Sequence, residues 1–232
     1  MKNALFLFSC GIFATSSLFA GDMGPAHTKA LSTYISVTGG YYESQYQANY
    51  TPSLAGITLI RESFNNSYNN GFGQIAIGTG ASIGSFHFDH QVITSVLGNR
   101  LSLDATNSST YTFKQQVDFG YDVMPKFNLK KMPGLDLYGI LGAHYGLFSY
   151  ENTAPSTLID TYNVSRNQIG FNLGVGLSYA INNTLAVGAK YQHFQYGSTD
   201  VYGANAVGTG NEIQTISPSF NLFGIELRYF IG

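Results

Sequence analysis

A histidine, a serine and an aspartate near residue 200 are the residue types of a hydrolytic site. His193 is followed by Ser198 and Asp200, and a serine nucleophile needs a histidine as base and a carboxylate to orient that base. The residues around His193 alternate as in a β-strand, where an odd spacing puts two side chains on opposite faces. His193 and Ser198 therefore point apart unless the strand bulges or ends between them, and we expect no catalytic residue here.

The segment around residue 88 carries the residue types of a metal site. His87, Asp89 and Gln91 share one face of a strand, whereas His90 lies on the other. A His-x-Asp pair supplies two ligands, while zinc sites take three or four from the protein. We therefore expect no metal and no cofactor. The expected role of His87 is hydrogen bonding at a rim or inside the fold, and His144 is expected to fill interior space.

The elements that carry these residues are predicted to be strands. Apolar and polar residues alternate most clearly over 111–123, 169–179 and 223–231, which is the signal of a strand with two different faces. The fifth segment is the least regular, because Tyr138 and Ile140 lie on its otherwise polar side. The eight predicted segments are 32–44, 71–83, 86–97, 110–123, 135–150, 165–181, 184–196 and 217–230.

The composition indicates that something other than water faces much of the surface. Hydrophobic residues make up 44% of the chain and charged residues 10%, against roughly 25% charged residues in a soluble domain. No run beyond residue 20 is apolar for the roughly 18 positions that a membrane helix needs. Strands cross a bilayer only as a closed barrel. The sequence predicts an all-β fold, an eight-stranded antiparallel up-and-down transmembrane β-barrel; a soluble β-sandwich is the alternative.

The connections between the predicted strands alternate in length. Tight turns lie at 84–85 and 182–183, and a linker of intermediate length at 125–134. Short periplasmic turns on one rim and long extracellular loops on the other are typical of outer-membrane barrels. Segments of about 11 residues only just cross the bilayer, so we expect no barrel wall above the membrane. The stretches predicted as long polar loops are 45–70, 98–109, 151–164 and 197–216.

The N-terminal region has the pattern of an export signal. Lys2 precedes an apolar stretch, and Leu18-Phe19-Ala20 offers a cleavage site. We predict a signal peptide over 1–20, a periplasmic segment over 21–31 and a barrel over 32–232, located in the outer membrane of a Gram-negative bacterium. Cys10 is the only cysteine, so no disulfide is expected after cleavage. A net charge of −2 gives no indication of nucleic-acid binding.

Three stretches carry a family resemblance. Gly174-Val175-Gly176-Leu177-Ser178-Tyr179 runs through Asn182-Asn183 into Leu185-Ala186-Val187-Gly188. This hairpin, the stretch from Leu137-Tyr138-Gly139 to Gly146 and the closing strand from Phe223 to Phe230 resemble opacity-type surface antigens and the OmpA/OmpX-like small outer-membrane barrels. The resemblance implies eight strands and no single activity. It also implies an insertion signal at Tyr229 and Phe230, read by the barrel-insertion machinery.

An eight-stranded barrel has an interior just wide enough for side chains to fill it. Charged residues of both signs lie on the faces predicted to point inward, and buried charges must be paired or hydrated. We therefore predict a lumen charge network rather than a wide pore. Its predicted members are Asp89, Lys114, Asp118, Asp122, Lys190, Glu226 and Arg228.

The polar stretches are the remaining candidates for function. Tyrosine among small polar residues makes adaptable contact surfaces. We expect a surface protein that is structural or adhesive; the alternatives are a narrow channel for ions or small solutes and, more remotely, a lipid-modifying hydrolase. The expected partners are outer-membrane lipid and lipopolysaccharide, the insertion machinery and host surface or matrix molecules. The loop contact candidates are Tyr46, Tyr50, Arg61, Phe64, Tyr68, Tyr162 and Tyr202.

Overall fold

A computed structural model describes residues 32–54, 57–58, 62–83, 86–97, 101–104, 110–128, 134–153, 162–204 and 211–231. The predicted segments 1–20 and 21–31 lie outside these ranges. No helix among the described residues is long and apolar enough to cross a membrane. The strands are β1 (Ser32–Leu54), β2 (Ile57–Thr58), β3 (Glu62–Ile83), β4 (Phe86–Leu97), β5 (Leu101–Asp104), β6 (Thr110–Asn128), β7 (Leu135–Thr153), β8 (Tyr162–Ala180), β9 (Leu185–Tyr196), β10 (Thr199–Ala204) and β11 (Asn211–Ile231).

Eight of these strands close into an antiparallel barrel, which confirms the predicted fold class. Each long strand pairs with the next along the chain, and β1 pairs with β11 to close the ring. The short strands β2, β5 and β10 pair antiparallel with the ends of β1, β6 and β11. We call the end that holds Ser32, Ile231 and the short turns the lower rim, and the opposite end the upper rim.

The side chains of the barrel alternate between the wall's two faces, as the pleat of a strand requires. From the lower rim upward, the outward positions are mostly apolar as far as Tyr41, Ile169 and Phe223, which are all about half exposed or more. Above that level the described outward positions include polar residues such as Asn167 and Asn221. The outward apolar residues form what we call the apolar band. On β8 it runs from Ile169 to Tyr179, which matches the roughly 9–11 residues of a tilted membrane-crossing strand.

The strands extend well beyond this band, so the prediction of long loops was wrong for 45–70 and 197–216, which are mostly strand. The predicted loops 98–109 and 151–164 lie mostly outside the described residues. The pairing of β1 with β3 continues to Tyr50↔Glu62, and its pairing with β11 continues to Pro52↔Glu212. The part of β1 above Tyr41 is long enough to rise roughly 30 Å, at about 3.3 Å per residue and a tilt near 40°. The barrel therefore has a tall upper extension, contrary to the sequence expectation.

The predicted position of Lys114 in the lumen is also wrong. The register of β6 against β7 shifts between Gln115 and Val117, which is a β-bulge that changes which residues face inward. Phe113 and Gln115 are buried as a result, and Lys114 is exposed on the outer wall. The sequence pattern had placed Phe113 outside and Lys114 inside, because it assumed an unbroken strand.

Candidate functional site

The lower half of the lumen is organised around Arg228, which β11 points inward next to Glu226. The guanidinium Nε donates to Glu226 Oε2 at 2.7 Å, and Nη1 donates to Asp89 Oδ2 on β4 at 3.1 Å. Its carbon lies 5.1 Å from the ring centre of Tyr34 and 4.8 Å from that of Tyr138, close enough for cation–π attraction. We call these five residues the Arg228 cluster.

Two buried lysines attach to the same carboxylates. Lys126 on β6 forms an ion pair with Asp89, and Lys190 Nζ on β9 lies 3.7 Å from Glu226 Oε1. Both carboxylates of the cluster therefore bridge two cations. Strands from opposite parts of the chain, β4, β6, β9 and β11, are joined through this one network.

Higher in the lumen, His144 on β7 lies between two aspartates of β6. Its Nδ1 is 2.7 Å from Asp118 Oδ2, and its Nε2 is 2.9 Å from Asp122 Oδ1. An ionised carboxylate only accepts hydrogen bonds, so both ring nitrogens must donate and the imidazole must be protonated. Asp122 also accepts from Gln91 at 3.0 Å and from Asn172 at 3.1 Å. We call the three charged residues the His144 clamp.

Two glycines make room for this clamp. A Cβ at Gly120 would overlap the ring of His144, and a Cβ at Gly142 would overlap the side-chain oxygens of Asp122 and Asn172. Each glycine is the cross-strand neighbour of a clamp residue, in the pairs Gly120↔His144 and Asp122↔Gly142. Large lumen side chains and glycines therefore alternate across the β6–β7 ladder.

The buried charges of the described lumen balance. Asp89, Asp118, Asp122 and Glu226 are opposed by Lys126, Lys190 and Arg228, all of them buried. A protonated His144 supplies the fourth positive charge. An unpaired buried charge costs several kcal/mol, which is avoided when each ion has a close partner of opposite sign.

Above the clamp the lumen is filled by an aromatic core. Phe148, Tyr196 and Phe220 pack with ring centroids 5.0 to 6.3 Å apart. A cavity between this core and Asp118 measures about 10 Å³, roughly the space for one water molecule. The members of the aromatic core are Tyr42, Phe72, Leu97, Phe113, Phe148, Tyr150, Phe194, Tyr196, Ile216, Phe220 and Leu222.

The structure therefore brings six of the seven predicted lumen residues into two neighbouring clusters. Asp89, Glu226, Arg228 and Lys190 meet low in the barrel, and Asp118 and Asp122 meet at His144. Sequence reasoning missed Lys126, which follows Pro125 and was assigned to a linker. It has the same strand parity as Asp122, and that alternation was the available signal.

The residues considered for catalysis and metal binding are dispersed. His193 Nδ1 contacts Asn221 Oδ1 at 2.8 Å on the outer wall, and Asp200 accepts from Thr215. Ser198 is exposed beyond the end of β9. Within the described ranges, no group of three His, Cys, Asp or Glu side chains is placed to hold a metal ion.

The contact candidates predicted in loops lie mostly on strands. Tyr46 and Tyr50 belong to β1, Phe64 and Tyr68 to β3, Tyr162 begins β8, and Tyr202 belongs to β10. Arg61 lies outside the described residues. All the strand positions are in the upper extension.

Of the predicted insertion signal, Tyr229 is exposed on the outer wall, whereas the ring of Phe230 points inward, 5.9 Å from that of Tyr34. Its reading by the insertion machinery stays a prediction.

A closed eight-stranded barrel with an apolar belt outside and paired charges inside is the architecture of a small outer-membrane β-barrel protein. The chain matches the outer membrane protein beta-barrel domain family over residues 14–229, and it belongs to that family. The protein is located in the outer membrane of a Gram-negative bacterium. The lower rim is thus the periplasmic rim, and the upper extension is extracellular.

Solved structures show the same fold at low sequence identity. OprG of Pseudomonas aeruginosa has a TM-score of 0.56 and 11% identity, covering 85% of this chain and 95% of its own. A major outer membrane protein of Thermus thermophilus has a TM-score of 0.53 and 11% identity, covering 88% and 100%. The outer membrane protease OmpT of Escherichia coli has a TM-score of 0.51 and 8% identity, covering 90% and 99%. No curated protein matches the chain significantly.

Proposed function

We propose that this protein is a closed structural barrel that acts at the cell surface through its upper extension, as an adhesive surface protein. The observation that carries the proposal is the continuation of β1, β3 and β11 far above the apolar band as one hydrogen-bonded sheet. A paired sheet holds its surface in place at a lower entropic cost on binding than a free loop does.

The filled lumen supports a surface role over a channel. The aromatic core spans the upper interior, and the Arg228 cluster and His144 clamp occupy the space below it. A conducting path would have to displace packed rings and separate buried ion pairs. We therefore expect no stepwise conductance from the purified barrel in planar bilayers, and steady steps would contradict the closed lumen.

The test of adhesion is to shorten the β1–β3 hairpin without changing its register. Residues 48–64 are replaced by a two-residue Asn-Gly turn, which joins the paired residues Gln47 and Asn65 and suits a tight hairpin. Vesicles carrying the barrel are then measured for binding to laminin- and fibronectin-coated surfaces. We expect the shortened barrel to lose about tenfold or more in affinity, or about 1.4 kcal/mol.

The matched control shortens the β5–β6 hairpin, with the same turn joining Leu101 to Phe113. This variant keeps every tyrosine proposed as a contact, so it should bind like the unaltered protein. Both variants should show a change in gel mobility on boiling, which reports a folded barrel. Adhesion is ruled out if unaltered barrels bind no better than empty vesicles, or if the β1–β3 variant binds fully.

A further inference from the structure

The outer wall has an apolar groove across β8, β9 and β11. The groove is open toward the membrane and has a volume of about 710 Å³. Ala189 on β9 lies between the larger outward side chains of its cross-strand partners, Leu177 and Ile225. All three line the groove, together with Tyr191 and Phe223 at a higher level. The groove therefore lies within the apolar band, where it meets hydrocarbon chains.

A polar cluster stands directly above this groove. Tyr191 and Phe223 are in ring contact at 4.7 Å, and the Tyr191 hydroxyl donates to Asn221 Oδ1 at 2.9 Å. His193, one outward position higher than Tyr191, contacts the same oxygen at 2.8 Å. Since an amide oxygen only accepts, Nδ1 of His193 carries the hydrogen, and Nε2 is the ring's remaining polar atom.

Two polar atoms of this cluster are available to a ligand. In the described part of the chain, neither the Asn221 side-chain nitrogen nor His193 Nε2 makes a hydrogen bond. The amide nitrogen donates to hydroxyl or phosphate oxygens, and the imidazole accepts from a hydroxyl or, when protonated, donates to a phosphate. An apolar groove with a polar cap of this kind fits a molecule that has an acyl chain below and a phosphorylated or hydroxylated head above.

We propose that this face binds one lipid A molecule of the outer leaflet, with an acyl chain in the groove and the sugar phosphate head at Asn221 and His193. The occupant is chosen by continuity with the membrane interface. The polar cap points toward the extracellular rim, so the head must be in the outer leaflet, and lipopolysaccharide is the lipid of that leaflet. The site does not depend on the proposed adhesive function.

The test uses the full barrel, purified in mild detergent and incubated with lipid A or with phosphatidylethanolamine. Native mass spectrometry then measures the fraction of protein that retains each lipid. We expect the unaltered barrel to retain lipid A about tenfold more than phosphatidylethanolamine. Ala189→Phe fills the groove and should abolish that preference, while Asn221→Leu removes the donor and should weaken it.

The control is Ala143→Phe. Ala143 is also an exposed outward alanine on the wall, but it lies on β7 outside the groove, so lipid A retention should be unchanged. The proposal is overturned if Ala189→Phe retains lipid A as well as the unaltered barrel does, or if both lipids are retained equally. It is also overturned if the unaltered barrel is dimeric and Ala189→Phe makes it monomeric, because a second copy would then occupy the groove.

Discussion

The membrane-embedded part of the barrel and its upper extension are built in opposite ways. Within the apolar band the outer wall carries apolar residues such as Ile225, and the interior holds ion pairs such as those of Arg228. Above the band the outer wall carries Asn167 and Asn221, and the interior is the aromatic core. The extension follows the rule of soluble proteins, because water drives apolar groups inside. The embedded part cannot use that force, since lipid is as apolar as the residues it touches.

Two kinds of interaction therefore stabilise one continuous sheet. Below, specificity and cohesion come from hydrogen-bonded charges in a low-dielectric interior, where each lost partner is costly. Above, they come from packing, where each lost ring leaves a cavity. In the embedded part, the most destabilising substitutions should therefore be those that remove a buried charge. In the upper extension, they should be those that remove side-chain volume.

The largest loss of stability is expected for Arg228→Leu, which removes the central cation of the Arg228 cluster. Glu226 and Asp89 would each lose a cationic partner, and breaking a buried ion pair costs about 3–5 kcal/mol. Urea unfolding of the barrel in lipid vesicles should show the loss as a lower midpoint. Arg166→Leu, at a partly exposed position near the upper rim, serves as control. Equal midpoints for Arg228→Leu and the unaltered protein would contradict the cluster.

The corresponding change in the aromatic core is Phe220→Ala. The ring is buried against Phe148 and Tyr196, so its removal should cost about 3–4 kcal/mol through the cavity it leaves. Phe171→Ala, about half exposed on the lipid-facing wall, opens no cavity and should cost less than about 1 kcal/mol, because lipid refills the space. Similar losses for the two variants would mean that the upper lumen is not packed as a core.

One positive charge placed at two heights on the outward face of β8 distinguishes the apolar band from the wall above it. Leu173→Arg puts a cation in the middle of the apolar band and should destabilise by about 2–4 kcal/mol. Asn167→Arg lies on the same face above the band and should cost about 0–1 kcal/mol, because its side chain reaches water. The measurement is the free energy of unfolding in vesicles whose bilayer has a defined thickness. Equal losses for the two variants would show that the upper boundary of the apolar band lies above Asn167.

The smallest effect is expected at the glycines. Gly120→Ala adds a methyl group where the His144 ring lies, and overpacking of this kind typically costs about 1–3 kcal/mol. Gly39→Ala meets no atom within 4 Å and should change stability by no more than about 0.5 kcal/mol. Thermal unfolding of both variants in the same detergent measures the difference. A tolerated Gly120→Ala would show that the His144 clamp has room to move.

The sequence predicted the embedded part well, because lipid enforces a strict alternation. All eight strands lie where the period of two put them, and β4 has the predicted bounds. The irregular positions Tyr138 and Ile140 do point inward, where they form a small cluster with Tyr34 and Met124 beside Arg228. The upper extension was missed because its sequence is polar and lacks the alternation of apolar residues that marks a crossing strand, so its composition is that of a loop.

The sequence predicted which charged residues face the lumen better than it predicted how they are paired. Strand parity identified most inward charges, but the bulge at Gln115 reversed the face of Lys114, since one extra residue flips every side chain beyond it. The His144 clamp depends on the β6–β7 register, which pairs Gly120 with His144. Periodicity gives the face on which a side chain lies but not its partner on the neighbouring strand, so this register cannot be read from it.

The ladder between β1 and β11 joins the two ends of the folded chain, from Thr33↔Ile231 to Pro52↔Glu212. All the other neighbouring pairs of long strands, by contrast, follow one another along the chain. A sheet of these eight strands therefore keeps two unsatisfied edges until β1 and β11 pair. Such edges invite pairing with other chains. The free edges of β1 and β11 are therefore where a barrel that has not yet closed is most prone to aggregate.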